Sequence, residues 1–202
     1  MYRLYRLLRP IVVFLLKFIY RIKVIDRDNI PNDGPILFVG NHKHKYDFIS
    51  LACGTKRVIH FLAKKELMNK HEKLLTKLGV IPVDRSKKNP EVVNKAINYL
   101  NKGEVVAIFP EGTFNKTEYV IMPFKYGAVK IASTTGVPIV PFAIVGEYKV
   151  FRKGLKIVFG KPITNVDKRD LTKENIKLMN EVVKLMRCDD DKKKKQFTRK
   201  KI

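Results

Sequence analysis

From about residue 24 onward, short apolar runs alternate along the chain with segments whose apolar residues recur at helical spacing. The apolar runs predict strands at residues 35–40, 58–63, 80–83, 104–109, 137–145 and 155–159. The helical spacing predicts helices at residues 66–78, 89–101, 124–135 and 172–187. Because strands and helices alternate, we expect an α/β fold in which one domain, residues 24–187, forms a mostly parallel twisted sheet covered by helices.

The first 23 residues follow a different pattern. Their uninterrupted apolar run, residues 11–16, stops at Lys17 and is shorter than the roughly 20 residues that cross a bilayer. On a helix the apolar side chains gather on one side and the basic ones on the other: Leu4, Leu8, Ile11, Leu15, Phe18 and Ile22 against Arg3, Arg6, Lys17 and Arg21. We therefore expect an amphipathic helix in the interface of an anionic membrane. The alternatives are a helix packed on the core and a signal peptide, disfavoured because no small-residue cleavage site follows.

The composition adds a strong positive charge to a sequence of ordinary globular character. The chain has 202 residues, 45% of them hydrophobic, and a formal net charge of +23 from 42 Lys and Arg against 19 Asp and Glu. Such a field favours anionic lipid, nucleic acid, nucleotide-bearing substrates or an acidic carrier protein as partners. Cys53 and Cys188 are far apart and lack CxxC spacing, so we expect neither a disulfide framework nor a zinc site, and a cytoplasmic setting. Residues 188–202 form a charged run that we expect to be disordered.

The segment NHKHKYD, residues 41–47, contains the first candidate chemistry. It follows the predicted strand at residues 35–40, and α/β sheets place ligands at the carboxyl ends of their strands. His42 and Asp47 can meet if the chain turns into a helix near Asp47. The carboxylate would then accept from Nδ1–H and leave Nε2 facing a substrate hydroxyl. Two alternatives are a solvated loop and a zinc site on His42 and His44, which lacks enough further ligands.

Four motifs in order resemble those of the glycerolipid acyltransferases, the family of 1-acylglycerol-3-phosphate acyltransferase. They are the H-x4-D pair at residues 42–47, GVIPVDR at 79–85, FPEGT at 109–113 and VPIVPF at 137–142. One such motif would be weak evidence, whereas four in the same order are specific. The resemblance covers residues 41–142, and AKKEL at 63–67 and PFKYG at 123–127 fit between the motifs.

This resemblance implies acyl transfer without metal, cofactor or covalent acyl-enzyme, from acyl-CoA or acyl-carrier protein as co-substrate to the sn-2 hydroxyl of 1-acylglycerol-3-phosphate. The product would be phosphatidic acid. His42 would be the general base and Asp47 the residue that orients it. Arg85 and Lys64 would bind the phosphate, with Lys65 as an alternative to Lys64, because cationic side chains match phosphate oxygens. The resemblance assigns acceptor binding to Glu111, Gly112 and Thr113.

Two positions depart from the family pattern. Phe114 stands where the third motif usually has arginine, which removes one expected phosphate contact and leaves Arg85, Lys64 and Lys116 for the acceptor. His44 stands where the first motif commonly has serine, so we interpret it as a loop residue. The same chemistry on glycerol-3-phosphate or another lysolipid is therefore an alternative.

A more distant alternative is a noncatalytic basic protein that binds membrane or RNA. The ordered motifs would then have no explanation, and no RNA-binding signature is present, so we expect no nucleic acid partner. We expect peripheral attachment to the cytoplasmic face of the cell membrane, where a lysophospholipid acceptor is accessible.

Overall fold

The computed structural model describes residues 2–64, 72–83 and 91–199, with the side chains of all of these except Lys64 and residues 188–199. Within these residues, seven strands form one sheet in the order β1-β7-β6-β2-β5-β3-β4. The strands are β1 Lys23–Ile25, β2 Ile36–Gly40, β3 Ile59–Lys64, β4 Ile81–Val83, β5 Val105–Ile108, β6 Ile139–Val145 and β7 Lys156–Phe159. All neighbours are parallel except β6 and β7, so the predicted fold class is confirmed.

The helices of the described residues are α1 Arg3–Tyr20, α2 Asp47–Leu51, α3 Glu72–Lys77, α4 Glu91–Asn101, α5 Gly127–Thr135 and α6 Leu171–Arg199, with a 3-10 helix at Arg27–Asn29. The residues predicted to start α4, Asn89 and Pro90, lie outside the described residues, as does the first part of the helix predicted at 66–78. Helix α6 extends to Arg199, beyond the end predicted at residue 187, and the expected disorder of residues 188–202 stays a prediction. Lysine, arginine and glutamine are good helix formers, and the helix continues through them.

The sheet separates two hydrophobic layers. Because successive side chains of a strand point to opposite faces, Ile36 and Phe38 of β2 belong to one layer, and Leu37 and Val39 to the other. Helix α1 packs into the first layer through buried Leu16. Helices α4, α5 and α6 cover the second layer. Helices α1 and α6 therefore lie on opposite faces of the sheet.

Helix α1 keeps a large apolar surface in contact with solvent. The apolar face of α1, as we call it, consists of large side chains that are about half exposed or more: Leu7, Ile11, Phe14, Leu15 and Phe18. Arg9, on the packed side, donates hydrogen bonds from Nη2 to the carbonyl oxygen of Ala52 (2.7 Å) and from Nε to that of Thr55 (2.8 Å). Ile22 was predicted to lie on the apolar side of the helix, but α1 ends at Tyr20, and Ile22 is buried in the core beyond it. Among the described residues, no helix has both the length and the apolar character needed to cross a bilayer.

The centre of the sheet brings two carboxyl ends together. Strand β2 lies between β5 and β6 and is parallel to both, so the loops that follow β2 and β5 leave the same edge side by side. At Gly40, the last residue of β2, a Cβ atom would lie 2.5 Å from the carbonyl oxygen of Phe142, so only glycine allows this approach. Asn41 continues the pairing, because its buried side chain accepts from the N–H of Ile144 (2.8 Å) and donates to its carbonyl (3.1 Å).

Candidate active site

His42 and Asp47 meet at the carboxyl end of β2. The Nδ1 atom of His42 lies 2.9 Å from Oδ2 of Asp47, whose side chain is fully buried, whereas the His42 side chain is 17% exposed. The helix α2 begins at Asp47, as expected, so the chain turns between the two residues. The carboxylate, when ionised, can only accept, so Nδ1 must carry the proton and Nε2 is left as the basic nitrogen.

The carboxylate of Asp47 also organises the loop that precedes it. Its Oδ2 atom accepts the backbone N–H groups of Lys43 (2.7 Å) and His44 (2.8 Å), and its Oδ1 atom accepts the hydroxyl of Tyr148 (2.8 Å). Donors to a buried carboxylate stabilise its charged form. Both oxygens are therefore satisfied, and the loop between His42 and Asp47 is wound around the charge that orients the imidazole.

A second carboxylate holds His42 from the neighbouring strand. Pro110 follows β5 in a turn in which the Gly112 N–H donates to the carbonyl oxygen of Phe109 (3.0 Å). This turn directs Glu111 back toward β2, where Oε1 accepts the backbone N–H of His42 (2.7 Å) and Oε2 accepts that of Met122 (2.9 Å). Burial raises the pKa of Glu111 above its usual range. Since both oxygens already accept from the backbone, Glu111 positions the site as well as lining it.

Two phenylalanines flank the imidazole. The ring of Phe109 stacks on that of His42 with centroids 4.0 Å apart, and the ring of Phe114 lies 4.4 Å away, tilted by 58°. Phe114, at the position where the sequence resemblance leads us to expect arginine, therefore places an apolar wall against the candidate base. Such a wall limits access of water to His42 and contributes no charge for a phosphate.

A cavity of about 180 Å³ opens beside His42. Its lining combines side chains of the first and third motifs with residues of the following loop and of α6: Asn41, His42, Lys43, Glu111, Asn115, Thr117, Tyr119, Val120 and Met186. The loop is fixed to the site by the N–H of Asn115, which donates to the carbonyl oxygen of His42 (2.7 Å). The volume of the cavity is below the roughly 300 Å³ at which drug-sized ligand pockets begin, so the cavity fits a small polar group.

Tyr148 is a site residue that the sequence did not reveal. Its hydroxyl donates to Asp47 and lies 3.0 Å from Oγ of Ser50, its ring stacks on His44, and Tyr20 at the end of α1 packs against it edge-on. Burial and the charge of Asp47 raise the pKa of this phenol, so it stays a protonated donor throughout the physiological range. No motif includes Tyr148, and the contact spans about half of the chain.

Of the remaining predicted site residues, the structure describes some and not others. Gly112 lines the same turn with φ of 75°, a left-handed conformation that favours glycine, and Thr113 next to it is exposed. Lys64 ends β3, but its side chain is not among those described, and Arg85 lies outside the described residues altogether. Their phosphate-binding roles stay predictions.

The other histidines that entered the zinc alternative have separate surroundings. His60 is buried, its Nδ1 lies 2.8 Å from the carbonyl oxygen of Gly79, and burial lowers its pKa. His71 lies outside the described residues. Among the residues that are described, no three His, Cys, Asp or Glu side chains gather in an arrangement that could hold a metal ion.

Comparisons with known proteins agree on one family. A family model described as Acyltransferase matches residues 21–145. The chain is 34% identical over 170 residues to a Bacillus subtilis protein named 1-acyl-sn-glycerol-3-phosphate acyltransferase, covering 80% of this chain and 84% of that protein. A chloroplastic protein of the same name from Brassica napus is 28% identical over 158 residues, which are 71% of this chain but only 45% of that protein.

The fold is also similar to that of a solved structure. The crystal structure of PlsC from Thermotoga maritima, titled as a 1-acyl-sn-glycerophosphate (LPA) acyltransferase, superposes with a TM-score of 0.69 over 91% of this chain and 78% of that one. At 22% identity, this likeness establishes the fold alone.

Proposed function

The chain belongs to the acyltransferase family, and on that premise we propose that it transfers a fatty acyl group to the sn-2 hydroxyl of 1-acylglycerol-3-phosphate, giving phosphatidic acid. The names of its relatives support this acceptor. The observation that carries the chemistry is the 2.9 Å contact between Nδ1 of His42 and the buried carboxylate of Asp47, beside a small polar cavity.

The reaction follows from the tautomer that this contact selects. Nε2 of His42 accepts the proton of the acceptor hydroxyl while the hydroxyl oxygen attacks the thioester carbonyl carbon. The imidazolium is then stabilised by the charge of Asp47. The C–S bond breaks as the tetrahedral intermediate collapses, and the imidazolium returns its proton to the leaving thiolate. Base and acid are thus the same nitrogen, and no acyl-enzyme forms.

The cavity supports an acceptor whose headgroup enters alone. Because the cavity is small, about 180 Å³, and has polar side chains in its lining, we expect the headgroup to enter it and the acyl chain to lie outside. Arg85 and Lys64 are the proposed phosphate ligands, with Lys116 as an exposed cation on the loop after Phe114. Because Phe114 supplies no charge, the same transfer to glycerol-3-phosphate or another lysolipid is the second candidate.

Attachment to a membrane surface would bring the lipid acceptor to this cavity. The apolar face of α1 is exposed, and α1 contains arginine and lysine but no acidic residue. We propose that this helix lies in the interface of the anionic cytoplasmic leaflet. The net charge of +23 also suits an anionic donor, either acyl-CoA or acyl-carrier protein.

The function is tested by following labelled acyl transfer on anionic vesicles with both donors and with two acceptors, lysophosphatidic acid and glycerol-3-phosphate. We expect product from lysophosphatidic acid, and the same rate with a metal chelator present. Product from glycerol-3-phosphate alone would support the second candidate. Transfer to neither acceptor, or loss of transfer with chelator, would contradict the proposed reaction.

Tyr148→Phe is expected to lower the free energy of unfolding by roughly 1.5–3 kcal/mol, because it removes a hydrogen bond to a buried charge. Without this donor the charge of Asp47 acts more strongly on the imidazolium of His42. The acidic limb of the pH profile of kcat/KM should therefore move to higher pH. A loss caused only by altered packing would reduce the rate at every pH without moving the limb.

Tyr46→Phe is the matched control for this change. Tyr46 packs near Tyr148, with ring centroids 6.0 Å apart, but Asp47 accepts no hydrogen bond from its hydroxyl among the contacts of the described residues. We expect an unmoved pH profile. An equal shift in both variants would contradict a specific role for Tyr148.

A further inference from the structure

A second segment continues the apolar face of α1. The β6–β7 loop, residues 146–155, exposes Val150 by 56% and Phe151 by 55%. The rings of Phe151 and Phe18 meet edge-on with centroids 5.8 Å apart. Two exposed aromatic side chains from distant parts of the sequence are therefore adjacent on one surface.

The backbone holds Phe151 in this position. Its φ of 56° is left-handed, which is unusual for a bulky residue. Its N–H donates to the carbonyl oxygen of Ile19 in α1 (2.6 Å), so the loop is bonded to the end of the helix. Strained conformations persist where the surroundings fix them, often at functional sites. Here the outcome is an exposed ring placed beside Phe18 rather than turned into the core.

The charges around this surface have one predominant sign. The loop contains Lys149, Arg152 and Lys153, and Glu147 is its only acidic residue. Lys149 pairs with Glu147 at 2.8 Å, while Arg152 and Lys153 are exposed. Exposed apolar side chains with cations around them are the pattern of a surface that enters an anionic lipid interface. A second copy of the chain would present the same positive charge, and the two would repel each other.

We propose that the β6–β7 loop is a second lipid-contacting element, and that Phe151 enters an anionic bilayer together with the apolar face of α1. This inference rests on the proposed attachment of α1 to membrane and adds a contact outside the N-terminal segment. The same loop contains Tyr148, whose hydroxyl donates to Asp47. Phe151, the proposed lipid contact, follows Tyr148 by three residues. The docking surface therefore lies close to the candidate active site.

The test measures binding of the full chain to vesicles of phosphatidylglycerol and phosphatidylcholine. Phe151→Asn removes the ring, and asparagine tolerates the left-handed backbone. We expect its partition coefficient to fall about tenfold, as for the loss of one large apolar side chain from an interface. Phe14→Asn on α1 should also weaken binding. Ile176→Gln is the matched control, because Ile176 is half exposed on α6, on the opposite face of the sheet, and should bind like the parent chain.

Acyl transfer to a short-chain lysolipid in detergent micelles separates docking from catalysis, and Phe151→Asn should retain it.

Normal vesicle binding by Phe151→Asn with weakened binding by Phe14→Asn would overturn the loop contact and leave the proposed function intact. No binding by the parent chain would overturn the whole docking surface, while micellar transfer would still test the reaction. A dimer that Phe151→Asn dissociates without loss of vesicle binding would identify a second copy as the occupant and overturn the inference. Loss of micellar transfer in Phe151→Asn would also contradict the inference, because the loop would then be needed for catalysis itself.

Discussion

His42→Ala is expected to lower acyl transfer by about 10³-fold, within the range that general acid-base catalysis contributes. The variant has no group at the position of Nε2 to accept the hydroxyl proton, and an alcohol is a poor nucleophile without a base. The loss should appear in kcat, because the side chain is needed in the transition state rather than for binding the ground state. Steady-state kinetics with saturating donor and acceptor measures it.

His44→Ala is the matched control for this prediction. His44 lies two residues away in the same loop and stacks on Tyr148, but its side chain makes no hydrogen bond with Asp47 among the described contacts. We expect it to retain most of the activity. Retained transfer in His42→Ala would contradict the assignment of the base. Equal and complete loss in both variants, reversed by added zinc, would instead support the alternative in which both histidines bind metal.

The strands could be predicted from the sequence where their apolar runs are long. Strand β2 is an uninterrupted apolar run because both of its faces are buried, and such a run is characteristic of a central parallel strand. Strand β1 has only three residues and was not predicted, since its conformation depends on pairing with β7 far along the chain. The face of α1 was partly mispredicted because the helix has an apolar side that packs on the core and another that stays exposed.

The candidate site likewise has features that the sequence predicted and features that it did not. The family resemblance is confirmed, and the predicted contact of His42 with Asp47 is present because local turn chemistry brings them together. The catalytic roles stay predictions. The resemblance gave Glu111 a part in acceptor binding, but its two hydrogen bonds to backbone N–H groups depend on how β2 and β5 pair. Tyr148 reaches Asp47 only through the sheet, and no local pattern could have predicted such a contact.

Asp47→Asn is expected to lower kcat by about 10²-fold to 10³-fold while leaving the geometry of the loop in place. The Asn carbonyl can take the position of Oδ2 and accept from His42, Lys43 and His44. Its NH₂ group then faces Tyr148, whose hydroxyl can accept as well as donate. The substitution therefore removes the charge and keeps the hydrogen bonds. What is lost is the stabilisation of the imidazolium that forms as the proton is transferred.

The pH profile of Asp47→Asn distinguishes this loss of charge from a loss of structure. With no anion beside it, the imidazolium is less favoured, so the acidic limb of kcat/KM should move to lower pH, opposite to the shift expected for Tyr148→Phe. Circular dichroism and thermal unfolding should show that the fold is retained. A reduced rate with an unmoved limb would mean that Asp47 acts only by holding the loop. A rate close to that of the parent chain would mean that its charge does not assist His42, and the proposed proton transfer would need another source of stabilisation.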